Sequence, residues 1–269
     1  MRTDSTRLSL VMPAFNEEAG IAEAVAEAHE SLTGLGYDFE ILVVDDGSRD
    51  RTAYLVNELA ETRPQVRLIR HAFNRGYGAA LRSGFEAARF ELVAFTDADA
   101  QFHLEDLDDL VVLTRECPVA VGYRADRKDP WRRKFFSWGY NRLVRMLLHT
   151  GVRDCDCALK VFQREALGHL LPESRGFFVN AEMLSRAARM GWEVAEVPVR
   201  HRPRRRGEST VSLREIPKTL RTLLGYWWKT AVMGRRPASP VPAHRRVNEL
   251  APRLNAATER VALAEALRL

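Results

Sequence analysis

Apolar runs alternate with amphipathic stretches through the first hundred residues. Short runs rich in Val, Ile, Leu and Phe predict four strands, at residues 8–12, 40–44, 66–70 and 92–96. Apolar residues at helical spacing predict three helices between them, at residues 17–32, 48–61 and 78–88. Pro13 should end the first strand, and Ser48 or Asp50 should cap the second helix. This alternation predicts an α/β fold with a mostly parallel sheet, whose ligands bind at the carboxyl ends of its strands.

The pattern after residue 125 is less regular. It predicts one strand at residues 194–199 and two amphipathic helices at residues 131–149 and 212–233. The first of these helices mixes aromatic residues with arginine and lysine. This mixture is typical of an element lying in a membrane interface, and a core helix with charged edges is the alternative. Residues 234–243 contain three prolines and form a predicted linker, and residues 244–269 form a tail with loosely helical apolar spacing.

The chain of 269 residues is long enough for one α/β domain with appendages. Its net charge is +5, with acidic clusters in the first half and basic clusters in the second. Such a division suits a protein that binds a metal with one half and an anionic partner with the other. Three cysteines, with no second pair at zinc-ligand spacing, indicate a reducing compartment. No stretch approaches the roughly 20 uncharged apolar residues of a membrane span, and the chain starts without an apolar leader.

Two carboxylates follow the fourth predicted strand, in Asp97-Ala98-Asp99. Gln101 offers a neutral oxygen one step further along the chain. Mg²⁺ and Mn²⁺ bind such oxygen ligands and commonly complete their shell with substrate phosphates. A lone D-x-D is also common in solvated acidic turns, so the hypothesis of a metal site depends on its surroundings.

Three other polar loops are expected at the same edge of the sheet. They are Pro13-Ala14-Phe15-Asn16-Glu17, Asp45-Asp46-Gly47-Ser48 and Asn74-Arg75-Gly76-x-Gly78. A carboxylate at such an edge can accept a hydrogen bond from a nucleobase N–H or a ribose hydroxyl. Small residues at a helix start allow the backbone to approach a ligand closely. The chain lacks the glycine-rich signatures of dinucleotide oxidoreductases and P-loop enzymes, which argues against both classes.

Taken in this order, the four motifs resemble those of family 2 glycosyltransferases of the GT-A fold. The resemblance is strongest to the dolichol- or polyprenyl-phosphate mannose and glucose synthases, and it covers roughly residues 7–230. It implies a Rossmann-like domain at residues 1–233, with a mostly parallel sheet flanked by helices and with amphipathic helices near its end. A nucleotide-binding half would span about 7–125 and an acceptor half about 126–233.

The resemblance also implies a role for each motif. The nucleotide sugar would be bound by Pro13, Ala14, Asn16, Glu17, Asp45, Asp46, Asn74 and Gly78. Mg²⁺ or Mn²⁺ would be held by Asp97, Asp99 and Gln101, and would offset the charge that develops on the leaving nucleoside diphosphate. The catalytic set would be Asp97, Asp99 and Arg124. The acceptor phosphate would be bound by Arg127, Lys160, Arg206 and Ser209.

Two downstream segments depart from the family pattern. In Asp154-x-x-Cys157-Ala158-Leu159-Lys160, Ala158 stands where glycine is usual. Around Arg206-x-x-Ser209, Gly207 follows Arg206 directly and Thr210 replaces the usual lysine. Arg204 and Arg205 could compensate, because arginine pairs with phosphate through two parallel hydrogen bonds.

The resulting hypothesis is a metal-dependent, inverting transfer of a hexose from a nucleotide sugar to a polyprenyl or dolichyl phosphate. Mannose from GDP-mannose is slightly favoured over glucose from UDP-glucose. We expect a peripheral protein at the cytoplasmic face of a membrane, which it contacts through its amphipathic helices. A phosphate monoester has a second pKa near ~6 and is mostly dianionic at neutral pH, so it needs no strong general base. A neutral hydroxyl acceptor would require one, and Asp126 and Glu182 are the candidates.

Three other functions stay open at this stage. An enzyme of the same fold could act on a soluble acceptor, and a catalytically idle module could bind lipid or nucleotide. Intact Asp97, Asp99 and Gln101 argue against the idle module. A nucleotidyltransferase would share the metal chemistry, but its glycine-rich first loop is missing. Nucleic acid is not expected, because no DNA-binding motif surrounds the basic run at residues 202–206, and no oligomeric state is predicted.

Overall fold

The computed structural model describes residues 6–125, 131–203 and 215–232. The described part contains seven strands: β1 (Arg7–Ala14), β2 (Asp38–Asp45), β3 (Val66–Arg70), β4 (Leu92–Phe95), β5 (Val119–Arg124), β6 (Lys160–Gln163) and β7 (Val194–Val199). It also contains eight α-helices: α1 (Ile21–Gly34), α2 (Thr52–Thr62), α3 (Tyr77–Ala87), α4 (Leu107–Leu113), α5 (Trp131–Leu148), α6 (Arg164–Leu170), α7 (Val179–Arg189) and α8 (Glu215–Val232). The predicted linker 234–243 and tail 244–269 lie outside these ranges.

The seven strands form one sheet in the order β3-β2-β1-β4-β6-β5-β7. The pairs β1–β2, β2–β3, β1–β4 and β5–β7 are parallel, whereas β6 runs antiparallel to both of its neighbours. The prediction of a mostly parallel sheet flanked by helices is therefore confirmed. The sequence patterns predicted neither β5 nor β6, and β6 is the strand that joins the two halves of the sheet.

The central strands are buried on both faces, which explains their continuous apolar sequences. Every residue of β1 from Leu8 to Ala14 is buried, and every residue of β2 after Asp38 is buried. Helix α3 packs closely on this part of the sheet at Gly84, where an added Cβ would lie 2.3 Å from Val11 Cγ1. A glycine is needed there because any side chain would push the helix off the sheet.

Three predicted boundaries shift in the structure. Strand β1 continues through Pro13, where it is paired with β2 alone because its pairing with β4 stops at Val11. Helix α1 begins at Ile21, since the preceding residues form a turn in which Glu17 O accepts the Ile21 N–H at 2.9 Å. Helix α2 begins at Thr52, and Asp50 Oδ1 accepts the Thr52 N–H at 3.0 Å.

The helices α5 and α8 contact each other on the side of the protein that also carries α7. Their inward faces bury Val144 and Leu223, and their outer faces leave large apolar side chains exposed, namely Phe135, Phe136, Trp138, Met146, Leu224 and Trp228. Both helices are therefore amphipathic, as predicted. Within the described ranges, no helix has the combination of length and apolar character that crossing a membrane requires.

Candidate active site

The polar loops that follow β1, β2 and β4 meet at one edge of the sheet. Backbone hydrogen bonds fix this meeting point: Asp46 N–H donates to Ala14 O at 2.9 Å, and Thr96 N–H donates to Val11 O at 3.1 Å. Parallel strands present their carboxyl ends together, so sequence motifs about 30 to 80 residues apart become neighbours. The structure thereby brings together the first, second and fourth predicted motifs.

Asp99 lies close enough to Asp97 for its charge to disfavour ionisation of Asp97. Burial and the charge of Asp99 raise the pKa of Asp97 to about 7, although a hydrogen bond from Tyr77 opposes this rise. The Tyr77 hydroxyl donates to Asp97 Oδ1 at 2.9 Å. A divalent cation would remove the repulsion, and carboxylate oxygens suit Mg²⁺ or Mn²⁺. The donor set of Asp97, Asp99 and Gln101 therefore fits such an ion.

No group of three or more His, Cys, Asp or Glu side chains that could hold a metal occurs in the parts of the chain that the structure describes. Two carboxylates and one amide oxygen would leave coordination positions for water and for diphosphate oxygens, as Mg²⁺ sites usually do. Gln101 lies in the same turn, and its N–H donates to Asp99 Oδ1 at 3.3 Å. The turn thus suits a cation that is shared with a phosphorylated ligand.

The first loop is bound to the second by hydrogen bonds through Asn16 and Glu17. Asn16 N–H donates to Ser48 Oγ at 2.9 Å, and Asn16 Oδ1 accepts the Arg49 N–H at 2.9 Å. Glu17 N–H donates to Thr52 Oγ1 at 2.9 Å. Ser48 therefore acts as an acceptor for the first loop and does not cap α2. Asn16 adopts a φ of +54°, a conformation that asparagine tolerates better than most residues.

Asp45 ends β2 and is completely buried. Its Oδ1 accepts the Ser48 N–H at 3.0 Å, whereas its Oδ2 has no hydrogen-bond partner. Arg70 Nε lies 3.4 Å from Oδ2, and the Arg70 side chain is 62% exposed. A buried carboxylate oxygen without a hydrogen bond is costly, so a ligand N–H reaching Oδ2 beside Arg70 would be favoured.

Asp46 was predicted to contact the nucleotide, but the structure engages its carboxylate with the protein. It accepts the Arg75 and Gly76 N–H groups at 2.9 and 2.8 Å, and His71 Nδ1 lies 2.7 Å from Oδ1. Asp46 is buried, whereas Asn74 beside it is exposed. Asp46 therefore organises the third loop, and of this pair only Asn74 has an exposed side chain.

The glycines of the third loop accommodate protein backbone. An added Cβ would lie 2.0 Å from Ser174 O at Gly78, and 2.5 Å from Arg175 O at Gly76. Gly78 N–H donates to Arg175 O at 2.8 Å, and Gly76 has a φ of +97°. This corrects the expectation that these small residues make room for a ligand. Their absent side chains allow the segment from residue 173 to 176 to pack directly on the start of α3.

Glu182 holds that segment in place. The buried carboxylate accepts the Glu173 and Ser174 N–H groups at 3.0 and 2.8 Å, and Arg186 donates to it at 2.8 Å. With its oxygens engaged in this way, Glu182 has a structural role in the ligand-free protein, which argues against its candidacy as a general base. The alternative candidate, Asp126, lies outside the described residues.

Arg124 and Lys160 also bind protein groups. Arg124 forms a bidentate pair with Asp154 at 2.7 and 2.8 Å. Lys160 is buried, and its Nζ donates to Cys155 O at 3.0 Å, to Cys157 O and to Asn180 Oδ1 at 3.2 Å. Because an ammonium has only three donors, Lys160 has none left for an acceptor phosphate. This contradicts its predicted phosphate contact, while burial lowers its pKa.

The remaining acceptor candidates, Arg127, Arg206 and Ser209, lie outside the described residues. The spacing Arg204-x-x-Gly207-x-Ser209 fits the family segment better than the one that begins at Arg206, so Arg204 joins the candidates. Two further residues were missed by sequence reasoning. Tyr77 occupies the variable position of the third motif, and His71 precedes that motif by three residues, so neither had a pattern to mark it.

Comparisons with known proteins identify the family. The family model described as "Glycosyl transferase family 2" matches residues 9–171. Glycosyltransferase AglD of Haloferax volcanii is 36% identical over 241 residues, covering 85% of this chain and 38% of that protein. Dolichyl-phosphate beta-glucosyltransferase ALG5A of Trichomonas vaginalis is 31% identical, covering 72% of this chain and 65% of its own length. Undecaprenyl-phosphate 4-deoxy-4-formamido-L-arabinose transferase of Enterobacter sp. is 32% identical, covering 78% and 64%.

The chain thus spans between about two fifths and two thirds of the length of these relatives. Among solved structures, glucosyl-3-phosphoglycerate synthase from Mycobacterium tuberculosis, bound to Mn²⁺, UDP and glucosyl-3-phosphoglycerate, superposes with a TM-score of 0.61 at 22% identity. The match covers 83% of this chain and 79% of that one. The same enzyme bound to Mg²⁺ and UDP gives a TM-score of 0.62. These structures share the predicted GT-A fold, and the chain belongs to glycosyl transferase family 2.

Proposed function

We propose that this protein transfers a hexose from a nucleoside-diphosphate sugar to a polyprenyl or dolichyl phosphate, with inversion at the anomeric carbon. The observation that carries the proposal is the convergence at one sheet edge of a buried, incompletely paired carboxylate, Asp45, with the carboxylate pair Asp97 and Asp99. The first group suits a nucleobase N–H, and the second suits a cation that accompanies a diphosphate. Two relatives are named as transferases acting on dolichyl or undecaprenyl phosphate, which supports the acceptor.

In this proposal Asp97, Asp99 and Gln101 hold Mg²⁺ or Mn²⁺, which when bound offsets negative charge on the departing diphosphate. The acceptor phosphate oxygen attacks the anomeric carbon while the bond to the diphosphate oxygen breaks, and the nucleoside diphosphate leaves with the electron pair. No proton has to move, because the acceptor is mostly dianionic at neutral pH. Asn16, Glu17, Asn74 and the backbone of Pro13 and Ala14 border the nucleoside. Arg127, Arg206 and Ser209, together with Arg204, are the proposed contacts to the acceptor phosphate.

Arg124 acts indirectly in this proposal. Its guanidinium is held by Asp154 at the end of β5, close enough for its charge to lower the pKa of Asp97. Arg124 therefore contributes positive potential to the site. Because its Nε and Nη2 donate to Asp154, they are not available for a bidentate pair with a phosphate. Asp46 and Gly78 take part by shaping the third loop.

The proposal extends to the nucleobase and the sugar of the donor. Only Oδ2 of Asp45 is available, and uracil presents a single ring N–H, whereas guanine presents a ring N–H beside an amino group. One relative is also named as a glucosyltransferase. Both observations favour UDP-glucose over GDP-mannose, the donor that the sequence alone slightly favours. UDP-glucose is therefore the donor we propose to test first, with GDP-mannose beside it as the second candidate.

Membrane association is proposed from the outer faces of α5 and α8. Trp138 and Trp228 are 57% and 58% exposed, and the basic residues Lys134 and Arg142 are exposed on the same helix as Trp138. Aromatic and basic residues together favour the headgroup region of an anionic membrane, and we place the protein peripherally at the cytoplasmic face.

Trp138→Glu should reduce cosedimentation with vesicles containing phosphatidylglycerol at least threefold. Tyr54→Glu, which alters an exposed aromatic residue on α2, should leave it unchanged.

The experiment that tests the activity uses radiolabelled UDP-glucose and GDP-mannose, polyprenyl phosphate, and Mn²⁺ or EDTA. We expect label in extractable lipid only when both metal and polyprenyl phosphate are present, and its loss by at least 100-fold in Asp99→Asn. Tyr54→Phe is the matched control and should retain full activity. A water-soluble labelled product, or label in lipid that survives EDTA, would contradict the proposed acceptor or the proposed metal, respectively.

A further inference from the structure

The turn that carries Asp97, Asp99 and Gln101 contains a residue in an unusual conformation. Ala100 has a φ of +54°, in the left-handed region that alanine rarely adopts because its Cβ crowds the backbone. A residue stays in this region only when its surroundings enforce it. The surroundings of Ala100 therefore determine how the candidate metal ligands on either side of it are placed.

Arg202, in the segment that follows β7, holds Ala100 in this conformation. Its Nε donates to Ala100 O at 2.5 Å, and its backbone N–H donates to Gln101 O at 2.9 Å. Its Nη2 donates to Glu27 on α1. The Arg202 side chain is only 16% exposed, so its pairing with Glu27 is weakly screened by water. The guanidinium thus bridges a helix of the first half and the strained residue of the turn.

The backbone of Arg202 also orients Gln101. The side-chain amide donates from Nε2 to Arg202 O at 3.2 Å. Rotating the amide by half a turn would place Oε1 against that carbonyl, bringing two acceptors together. The hydrogen bond therefore keeps Oε1, the oxygen a cation would use, directed away from Arg202. An adjacent bridge between Phe102 and His201 keeps the two segments in register.

We propose that Arg202 is a positioning residue for the cation site: by holding Ala100 in its left-handed conformation, it keeps Asp99 and Gln101 arranged to bind Mg²⁺ or Mn²⁺. The inference rests on the proposed function in one respect, the assignment of the cation to Asp97, Asp99 and Gln101. Residues that orient metal ligands typically change metal affinity by 10- to 100-fold when replaced. Arg202 has no place in the proposed acceptor set and acts here through the turn.

The test measures Mn²⁺ binding directly, from the electron paramagnetic resonance signal of free Mn²⁺ titrated with the 269-residue chain and UDP. We expect Arg202→Met to weaken Mn²⁺ binding about tenfold, and Arg202→Lys about threefold because one ammonium cannot serve Ala100 and Glu27 with the geometry of a guanidinium. The matched control is Arg200→Met. Arg200 lies two residues away and pairs with Asp106 at 2.7 Å, without touching the turn, so its replacement should change Mn²⁺ binding less than twofold.

A rescue variant separates positioning from a simple loss of charge. Adding Ala100→Gly to Arg202→Met removes the steric cost of the left-handed turn, and should restore at least half of the lost Mn²⁺ affinity on a logarithmic scale. If Arg202 instead binds UDP through its charge, Arg202→Met would weaken UDP binding measured without Mn²⁺, and glycine would restore nothing. That result, or Mn²⁺ binding by Arg202→Met within twofold of the unaltered chain, overturns the inference.

Two safeguards keep the outcome decisive. Circular dichroism and thermal unfolding show whether Arg202→Met folds, and if it does not, Arg202→Lys with and without Ala100→Gly carries the same comparison. Mn²⁺ binding is read without turnover, so absence of sugar transfer to lipid would count against the proposed function alone. An unaltered chain that binds no Mn²⁺ in the presence of UDP would overturn both.

Discussion

Buried charged side chains at the edge of the sheet bind the protein's own backbone. Asp46 accepts two loop N–H groups, Glu182 accepts two others, and Lys160 donates to two carbonyls. Leaving such backbone groups unpaired in the interior costs about 1–3 kcal/mol each, so these residues fix the shapes of three loops. Sequence reasoning took each of them for a possible ligand or catalytic contact, because residue type and spacing alone do not distinguish a residue that fixes a loop from one that binds a ligand.

Replacing Lys160 tests this distinction at a single position. Lys160→Met fills similar space but removes the donors to Cys155 O, Cys157 O and Asn180 Oδ1. We expect the free energy of unfolding, measured by urea denaturation, to fall by about 3 kcal/mol. A residue that served only to bind acceptor phosphate would give the opposite pattern, with unchanged stability and a raised KM for polyprenyl phosphate. Lys218→Met, at an exposed position on α8, is the control and should change stability by less than about 0.5 kcal/mol.

At the scale of elements, the sequence predicted best where a strand or helix is set by its own pattern. Strands β1 to β4 and helices α1 to α3 were found within a few residues, because buried parallel strands are continuous apolar runs and α1 buries Ile21, Val25, Ala28 and Leu32 at helical spacing. β6 was not predicted, because it has only four residues and begins with the charged, buried Lys160. The packing of residues 173–176 on the start of α3 could not be predicted, since it joins segments about 100 residues apart in the sequence.

A pair of glycine replacements tests that packing. Gly78→Ala would place a Cβ 2.0 Å from Ser174 O, and neither backbone can yield without breaking the hydrogen bond between Gly78 and Arg175. We expect the free energy of unfolding to fall by at least about 2 kcal/mol. Gly139→Ala lies in α5, where the described residues place no atom beyond the helix backbone within 4 Å of the added Cβ, and it should instead raise the free energy of unfolding by about 0.5–1 kcal/mol. Equal effects of the two replacements, measured by thermal unfolding, would show that residues 173–176 do not pack on α3.

For the whole molecule, the resemblance predicted a site at the edge of the sheet where the structure brings the motifs together, but it could not rank the residues within that edge. Asp45, Asp97 and Asp99 keep the features of ligand-binding groups, namely a buried oxygen without a hydrogen bond in Asp45 and repulsion between the carboxylates of Asp97 and Asp99. Asp46 follows Asp45 in the second motif and Gly78 ends the third motif, yet both of these residues contact protein. This difference arises from tertiary contacts with His71, Ser174 and Arg175. Burial and pairing, which depend on those contacts, separate the two classes where residue type and spacing do not.

The carboxylate pair also makes the stability of the metal-free protein depend on pH. Asp97 has a pKa of about 7 in the folded protein, against an ordinary value of 3.8, because burial and Asp99 disfavour its charge. As pH rises from about 4 to 7, the unfolded chain loses this proton before the folded one does, so the free energy of unfolding decreases across that window. Asp97→Asn does not titrate. In EDTA it should therefore be about 4 kcal/mol more stable than the unaltered chain at pH 8 and nearly equal to it at about pH 3.5, below the ordinary pKa of an aspartate.

Mn²⁺ with UDP should reverse this order of stability at pH 8. The unaltered chain should be stabilised and Asp97→Asn should be almost unaffected, because only the charged pair of carboxylates binds the cation tightly. Urea denaturation at the two pH values, with EDTA or with Mn²⁺ and UDP, gives all four comparisons. A variant no more stable than the unaltered chain at pH 8 in EDTA would show that the two carboxylates do not repel in the folded protein. The repulsion between Asp97 and Asp99 would then be too small to explain why this edge of the sheet should bind a divalent cation.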